Sequence, residues 1–161
     1  MLLLAFFRTI AIRLDLDLPA TLLKLILAAP VALQDRLRRE PQMMLDAASE
    51  AARIQKWGCI PRTVISDCVV GGRSLRAGDT VLIPLGDAGQ DPRVFSKPQA
   101  FQPDRPHLGR QLTFGAGEHK CPGAHFARSM AASLSYAVIT RAMHISLKSD
   151  EDGNECIVFG A

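Results

Sequence analysis

Residues 112–128 read LTFGAGEHKCPGAHFAR, and this segment constrains the fold and chemistry of the 161-residue chain more than any other. Gly115 and Gly117 permit left-handed backbone conformations, so the loop can bend tightly and approach a flat ligand closely. Cys121 follows these glycines, and a cysteine thiolate is a strong metal ligand. The segment predicts a cysteine held at the end of a tight loop.

Pro122 and Gly123 indicate how the chain leaves this loop. Proline suits the first position of a helix, because its missing N–H costs nothing there. We therefore expect Cys121 at a helix N-terminus, where free N–H groups and the helix dipole favour an anionic ligand. Gly123 leaves room for something large to pack against the first turn. These residues predict an anionic cysteine beneath a planar group, and the alternative is a buried free cysteine at a turn.

The spacing Phe-Gly-x-Gly-x-His-x-Cys-x-Gly-x-x-x-Ala-Arg over residues 114–128 closely resembles the proximal haem loop of the cytochrome P450 superfamily, the haem-thiolate monooxygenases. The resemblance implies that haem b is the cofactor and that Cys121 is its axial iron ligand. Such a thiolate pushes electron density onto iron and favours O–O cleavage. It also implies that Phe114 packs beside the thiolate and that His119 hydrogen-bonds a haem propionate. The other cofactor-binding positions of the loop are Gly115, Gly117 and Gly123.

Glu50 and Arg53 lie three residues apart, so their opposite charges share one helical face. Alone, such a pair is most often a solvated surface ion pair. In the resembled family, an ExxR helix precedes the cysteine loop, and its pair binds an arginine of a proline-rich meander. Residues 91–105, DPRVFSKPQAFQPDR, match the family pattern DPxxFxxPxxFxPxR. The resemblance therefore implies that Arg105 joins Glu50 and Arg53 in a buried structural network.

Two features between these motifs extend the resemblance. Arg62 stands just before the first predicted strand, where similar proteins have an arginine that binds a haem propionate. Residues 72–78, GRSLRAG, resemble the family hairpin GxxIPAG, with Arg76 in place of proline.

Residues 2–9, LLLAFFRT, are the candidate for the distal haem helix, aligned against the family pattern AGx(D/E)T. Thr9 then matches the alcohol that takes part in proton delivery, and it is the predicted catalytic residue. Phe6 replaces the glycine of that pattern. Arg8 replaces the carboxylate, whose role arginine cannot take because it stays protonated. The alternative is a divergent N-terminal stretch without a distal role.

The predicted fold is mainly α with a small antiparallel β subdomain: the C-terminal portion of the cytochrome P450 fold, without its N-terminal and most distal-side elements. We expect one partial domain, residues 1–161, because no linker or internal repeat divides the chain. Its predicted segments are a divergent remnant of the distal helix (1–18), helices including ExxR (19–58), a small sheet (59–83), a proline-rich meander (84–110), the haem–cysteine loop with its following helix (111–141) and C-terminal strands (142–161).

Composition excludes several classes of protein. A net charge of +3 with 48% hydrophobic residues is ordinary for a globular chain and too weakly basic for nucleic-acid binding. The apolar start is too short for a transmembrane segment and lacks the basic region of a signal peptide. Four cysteines without a CxxC pair indicate reduced thiols and a cytoplasmic location.

The inherited activity implied by the resemblance is O₂-dependent monooxygenation of a small organic substrate. A ferredoxin or reductase would deliver electrons at a basic face that includes Arg110, Lys120 and Arg128. Family members are more than twice this long, so apolar surfaces left uncovered here could drive association. The alternatives are a non-catalytic haem-binding fragment, a gene remnant or a subunit completed by another chain.

Zinc is the competing reading of the loop. The spacing of His119, Cys121 and His125 supplies three possible zinc ligands, with His107 as a possible fourth. This reading leaves the ExxR and meander patterns without an explanation.

Overall fold

The structure, a computed structural model, describes residues 17–55, 58–142, 145–150 and 152–159. It contains the mainly helical fold with small antiparallel ribbons that the sequence predicts. The helices are α1 (Asp17–Ala28), α2 (Val31–Arg39), α3 (Met43–Ile54), α4 (Leu85–Gly89) and α5 (Ala124–Arg141). The strands are β1 (Cys59–Thr63), β2 (Cys68–Val70), β3 (Arg73–Leu75), β4 (Thr80–Pro84), β5 (Ile145–Ser149) and β6 (Glu155–Phe159).

The hydrophobic core lies where α1, α3 and α5 pack together. Alanines occupy much of the contact face of α3, and small side chains let neighbouring helices approach closely. Leu22 and Ile26 of α1 are fully buried in this core, and the spacing of four places them on one helical face. Burying one such side chain stabilises the fold by about 1.5–3 kcal/mol. The alanines that the two other helices contribute to this core are Ala47, Ala48, Ala51, Ala52, Ala131 and Ala132.

Helix α2 packs against the C-terminal end of α5. Arg38 donates its Nε–H to the carbonyl oxygen of Ile139 at 3.2 Å, which satisfies an acceptor in the last turn of α5. Tyr136 donates in return to the carbonyl of Arg38 at 3.5 Å. Arg38 therefore ties α2 to α5.

In the described ranges the strands form three separate two-stranded antiparallel ribbons, β1 with β4, β2 with β3, and β5 with β6, so the small sheet predicted over 59–83 consists of two ribbons. Gly71 and Gly72 join β2 to β3 with φ values of 56° and 78°, the left-handed pair that suits a tight hairpin. The first strand spans Cys59–Thr63, so Arg62 lies within it and not just before it as the sequence predicts. Thr63 pairs with Thr80, the first residue of β4, and Val64 continues this contact by donating its N–H to the carbonyl of Asp79 at 2.8 Å.

The meander is irregular, as its prolines predict, but a short helix opens it. Helix α4 has five residues, too few to show a helical period in the sequence. It follows β4 without a break and buries Leu85, Gly86 and Gly89. Within the described ranges, no helix is long and apolar enough to span a membrane.

Candidate functional site

The cysteine loop is closed by backbone hydrogen bonds. Cys121 donates its N–H to the carbonyl of Phe114 at 2.8 Å, which returns the chain to the start of the loop. Gly115 (φ 73°) and Gly117 (φ 67°) both adopt the left-handed conformation that the sequence pattern requires of them. The side chain of Cys121 is exposed at the end of this loop. A tight turn therefore presents an accessible thiol.

Helix α5 begins at Ala124 and not at Pro122 as expected. Gly123 is the N-cap, with φ −82° and ψ 0°, and Ala124 donates its N–H to the carbonyl of Cys121 at 3.2 Å. Cys121 thus lies in the turn that precedes the helix. A Cβ added at Gly123 would come within 3.8 Å of Cys121 Sγ, an ordinary contact distance. Glycine therefore keeps the space beside the sulfur open.

Phe114 supports the loop from within. Its half-buried ring lies 5.8 Å from the guanidinium of Arg128, a cation–π distance. Arg128 also donates Nε–H to the carbonyl of Ala124 at 3.1 Å and Nη1–H to Ser49 Oγ at 3.4 Å. One arginine therefore joins the loop, α5 and α3.

Glu50, Arg53 and Arg105 form a buried ion network. Arg53 donates Nε–H and Nη2–H to the two carboxylate oxygens of Glu50, each at 2.8 Å. Arg105 donates Nε–H to Glu50 Oε1 at 2.9 Å. All three side chains are almost completely excluded from solvent. One carboxylate faces two guanidiniums, so the network carries a net positive charge, and its stability depends on the remaining N–H groups finding acceptors.

The meander carbonyls complete the binding of Arg105. Its guanidinium donates to the carbonyls of Ser96, Lys97 and Ala100, the last at 2.8 Å. Lys97 has φ 47°, an uncommon conformation for a residue with a side chain, and its carbonyl is one of these acceptors. The backbone of the meander is thus shaped around the arginine.

Phe95 completes the surroundings of Arg53. The ring is 1% exposed and lies 5.1 Å from the Arg53 guanidinium. The meander pattern includes this phenylalanine, but the contact depends on tertiary structure and has no local signal in the sequence.

Helix α3 also holds the segment that leads to the cysteine loop. Gln111 donates Nε2–H to the carbonyl of Ser49 at 3.1 Å, and Thr113 donates its hydroxyl to the carbonyl of Ala52 at 3.3 Å. Thr113 is buried. Sequence reasoning missed both positions, because a lone polar residue before a glycine loop is a common feature of turns. The helix that carries the ion network is therefore also the support of the loop.

Arg62 and His119 lie apart from this network. Arg62 is exposed on β1, and its Nη1–H donates to the neighbouring carbonyl of Pro61 at 2.8 Å. The side chain of His119 is 78% exposed, with Nε2 3.8 Å from Glu118 Oε1. Both side chains are accessible to a ligand. Thr9, together with Phe6 and Arg8, lies outside the described residues.

The zinc interpretation gains no geometric support. In the part of the chain that the structure describes, no three His, Cys, Asp or Glu side chains are grouped closely enough to hold a metal ion. His107 and His125 are both exposed.

A cavity of about 620 Å³ opens between α3, the cysteine loop and the start of α5. Arg110, Lys120 and Arg128 line it, and Asp46 of α3 contributes a carboxylate. The three basic residues singled out in the sequence therefore share one concave surface, with an excess of positive charge.

The residues of the loop fit a haem. An exposed thiol can lose its proton and supply the soft thiolate ligand that haem iron accepts. Gly123 leaves the space beside that sulfur free of a Cβ, so a flat macrocycle meets no side chain at this position. Exposed Arg62 and His119 are suitable donors for carboxylate groups at its edge.

Residues 42–148, more than half of the chain, match the sequence profile of the cytochrome P450 family. The chain therefore belongs to this family, in which a cysteine thiolate binds haem iron.

Individual relatives agree with this assignment. Pulcherriminic acid synthase of Bacillus subtilis (strain 168) is 31% identical over 130 residues, which are 75% of this chain and 29% of that protein. The mycocyclosin synthase of Mycobacterium tuberculosis (strain ATCC 25618 / H37Rv) is 34% identical over 98 residues, 60% of this chain and 25% of that protein. The chain thus spans less than a third of these curated relatives.

Solved structures show the same fold. CYP109B1 from Bacillus subtilis has a TM-score of 0.75 at 28% identity, covering 87% of this chain and 39% of the solved one. P450BioI in complex with a ligated acyl carrier protein has a TM-score of 0.77 at 24% identity, covering 91% and 41%. The described helices and ribbons are therefore those of a part of the cytochrome P450 fold.

Proposed function

We propose that this chain is the haem-ligating part of a haem-thiolate monooxygenase and that Cys121 supplies the axial thiolate. The observation that carries the proposal is the exposed Cys121 side chain at the end of a hydrogen-bonded glycine loop. When bound, haem supplies O₂-dependent monooxygenation of a small organic substrate, the chemistry of this family. The polypeptide binds and orients this group.

The loop residues take separate roles in this proposal. Phe114 packs beside the sulfur, while Gly115 and Gly117 give the backbone its bend. His119 on the loop and Arg62 on β1 bind the two propionates, since both side chains are exposed and can donate hydrogen bonds. Cys121, His119 and Arg62 would together hold the cofactor.

The buried network of Glu50, Arg53 and Arg105 acts at a distance from the cofactor. It locks α3 to the meander, and α3 in turn accepts hydrogen bonds from Gln111 and Thr113 ahead of the loop. These three charged residues are therefore structural in this proposal. Their role is to keep the loop in one conformation, ready for ligation.

The electron donor is an acidic protein that docks at the cavity lined by Arg110, Lys120 and Arg128. Three cations and one carboxylate give this surface the charge that steers a ferredoxin or an acidic reductase domain towards the cysteine loop. Thr9 remains the proposed catalytic alcohol on the distal side, where it would take part in proton delivery.

A second candidate is a haem-binding chain that needs another polypeptide for turnover. Large apolar side chains stay exposed on the ribbons and on α5, including Val69, Val70, Leu82 and Phe126. Exposed apolar surface of this kind marks a site of association. The chain covers 39% of the CYP109B1 structure, so in this interpretation a second polypeptide supplies the other parts of the fold.

Reconstitution separates these functions. The full chain is titrated with haemin, and bound iron and zinc are counted by elemental analysis. The proposal expects one haem per chain, with retention weakened in His119→Ala and unchanged in the matched variant His125→Ala. Bound zinc that is lost in His125→Ala would support the zinc site instead.

Peroxide-driven oxidation of a small organic substrate distinguishes an active chain from one that only binds haem. If this activity survives in Thr9→Ala, Thr9 has no part in the mechanism.

A further inference from the structure

Gly89, the last residue of α4, makes a backbone contact for which no other residue has room. Its carbonyl accepts a hydrogen bond from Nη1 of Arg53 at 2.7 Å. A Cβ at this position would lie 2.6 Å from the carbonyl oxygen of Arg53, closer than Cβ and backbone atoms approach. Gly89 is buried, so the added atom has no open space to move into. The glycine is therefore required by space at the C-terminal end of α3.

Helix α4 transmits this contact to a β-ribbon. Leu85 follows Pro84 directly, so α4 is the continuation of β4. Strand β4 pairs with β1, and Val81 stands opposite Arg62 in that register. The position of the ribbon relative to α3 is therefore set at the point where Gly89 meets Arg53.

Helix α3 also supports the cysteine loop, through hydrogen bonds that its backbone carbonyls accept. The carbonyls of Ser49 and Ala52 accept hydrogen bonds from Gln111 and Thr113, which precede the loop. Helix α3 therefore connects the segment before Cys121 to the ribbon that carries Arg62. The first connection runs through side-chain donors and the second through Gly89.

We infer that Gly89 is a positioning residue, whose contact with Arg53 sets the placement of Arg62 relative to Cys121. The inference rests on the proposed function, which assigns Cys121 to the iron and Arg62 to a propionate of the same haem. Since a rigid macrocycle has to meet both groups, the α3–α4 contact controls how well the edge of the haem is held.

Hydrogen exchange of the full chain without haem tests the mechanical part. Gly89→Ala is compared with Gly58→Ala, which makes the same substitution before β1, where an added Cβ has no atom within 4 Å. We expect Gly89→Ala to accelerate exchange of the β1 and β4 ladder amides about tenfold, from the usual cost of overpacking, without changing the amide of Cys121. Gly58→Ala leaves both regions unchanged. Unchanged ribbon exchange, or equal acceleration at Cys121, overturns the inference.

Ala88→Gly is the second variant for this experiment. It loosens the same five-residue helix without adding bulk, so it folds even where Gly89→Ala does not. The expected result is a smaller acceleration confined to the same ribbon amides. Acceleration spread over the whole chain contradicts a local role for this contact.

Haem dissociation rates test the link to Arg62 by a double-mutant cycle. If Gly89 acts through Arg62, then Arg62→Leu accelerates haem loss in the parent chain and adds nothing in the Gly89→Ala background. Fully additive effects contradict this. If the parent chain retains no haem, the proposed function fails, while the exchange experiment still decides whether Gly89 couples α3 to the ribbon.

Discussion

Arg105 donates its Nε–H to Glu50 Oε1 at 2.9 Å, although 55 residues separate them in the chain. This bond joins the irregular meander to α3, and both side chains are excluded from solvent. The carboxylate also binds Arg53, so the loss of Glu50 would leave two buried guanidiniums without their shared partner. The network is thus a single structural unit.

Arg105→Ala is expected to lower the free energy of unfolding by about 3–5 kcal/mol, because it removes a charged donor from a buried carboxylate and leaves buried carbonyls unsatisfied. Glu50 then loses one of its two guanidinium partners, and three meander carbonyls lose their donor. Urea denaturation measures the change. Arg93→Ala is the control, because the side chain of Arg93 is 87% exposed and pairs with Asp91 at the surface. Equal stability of the two variants contradicts a structural role for the network.

The left-handed backbone at Lys97 leads us to expect that glycine at this position stabilises the fold. Its φ of 47° costs a residue with a Cβ about 1 kcal/mol, whereas glycine adopts it freely. The side chain is exposed, so Lys97→Gly loses no packing and keeps the carbonyl that accepts from Arg105. We expect the midpoint of thermal unfolding to rise. Lys97→Ala, which keeps the Cβ, serves as the comparison; a rise in both variants would point to the lysine charge instead of the backbone.

The stability of the meander near Asp91 is expected to depend on pH. Hydrogen bonds from the Arg93 side chain and backbone N–H lower the pKa of this carboxyl from 3.8 to about 2. Because the folded-state pKa lies below the unfolded value, this stabilisation is present above pH 3.8 and is lost as the pH falls towards 2. In Arg93→Ala, we expect an NMR titration to show the Asp91 pKa moving back towards 3.8. An unchanged pKa shows that Arg93 is not its cause.

Thr113→Val tests the support of the cysteine loop. The substitution keeps the shape of the side chain but removes the hydroxyl that donates to the Ala52 carbonyl at 3.3 Å. We expect a loss of about 1 kcal/mol in unfolding free energy, the usual net worth of one hydrogen bond, together with faster haem loss. Thr140→Val removes an exposed hydroxyl from α5 and is the matched control. Haem loss at the same rate in both variants means that Thr113 does not support the loop.

Sequence motifs predict much of this architecture. The C-terminal ribbon is an example: Ile145 pairs with Phe159 and Leu147 with Ile157, within the segment 142–161 that is predicted to form strands. The mainly α fold and the family assignment also follow from motif spacing. Spacing likewise singles out Glu50, Arg53 and Arg105, whose side chains the structure places in contact, while their role towards a haem stays a prediction.

Other features depend on tertiary contacts that leave no local pattern. The requirement for glycine at Gly89 arises from the carbonyl of Arg53, a residue 36 positions away. The hydrogen bond of Thr113 to Ala52 spans 61 positions. The start of α5 at Ala124 follows from the N-cap geometry of Gly123, whereas the composition of the segment favours a start at Pro122. Helix α4 is too short for a period to appear.

Ligation of haem iron by Cys121 is the central claim, and the spectrum of the reduced chain under carbon monoxide tests it most directly. The haemin-loaded parent chain is compared with Cys121→Ala and with Cys68→Ala, which removes another exposed thiol on β2. We predict the red-shifted Soret band of a thiolate-bound haem in the parent and in Cys68→Ala, and its absence in Cys121→Ala. A thiolate band that persists in Cys121→Ala would contradict the claim.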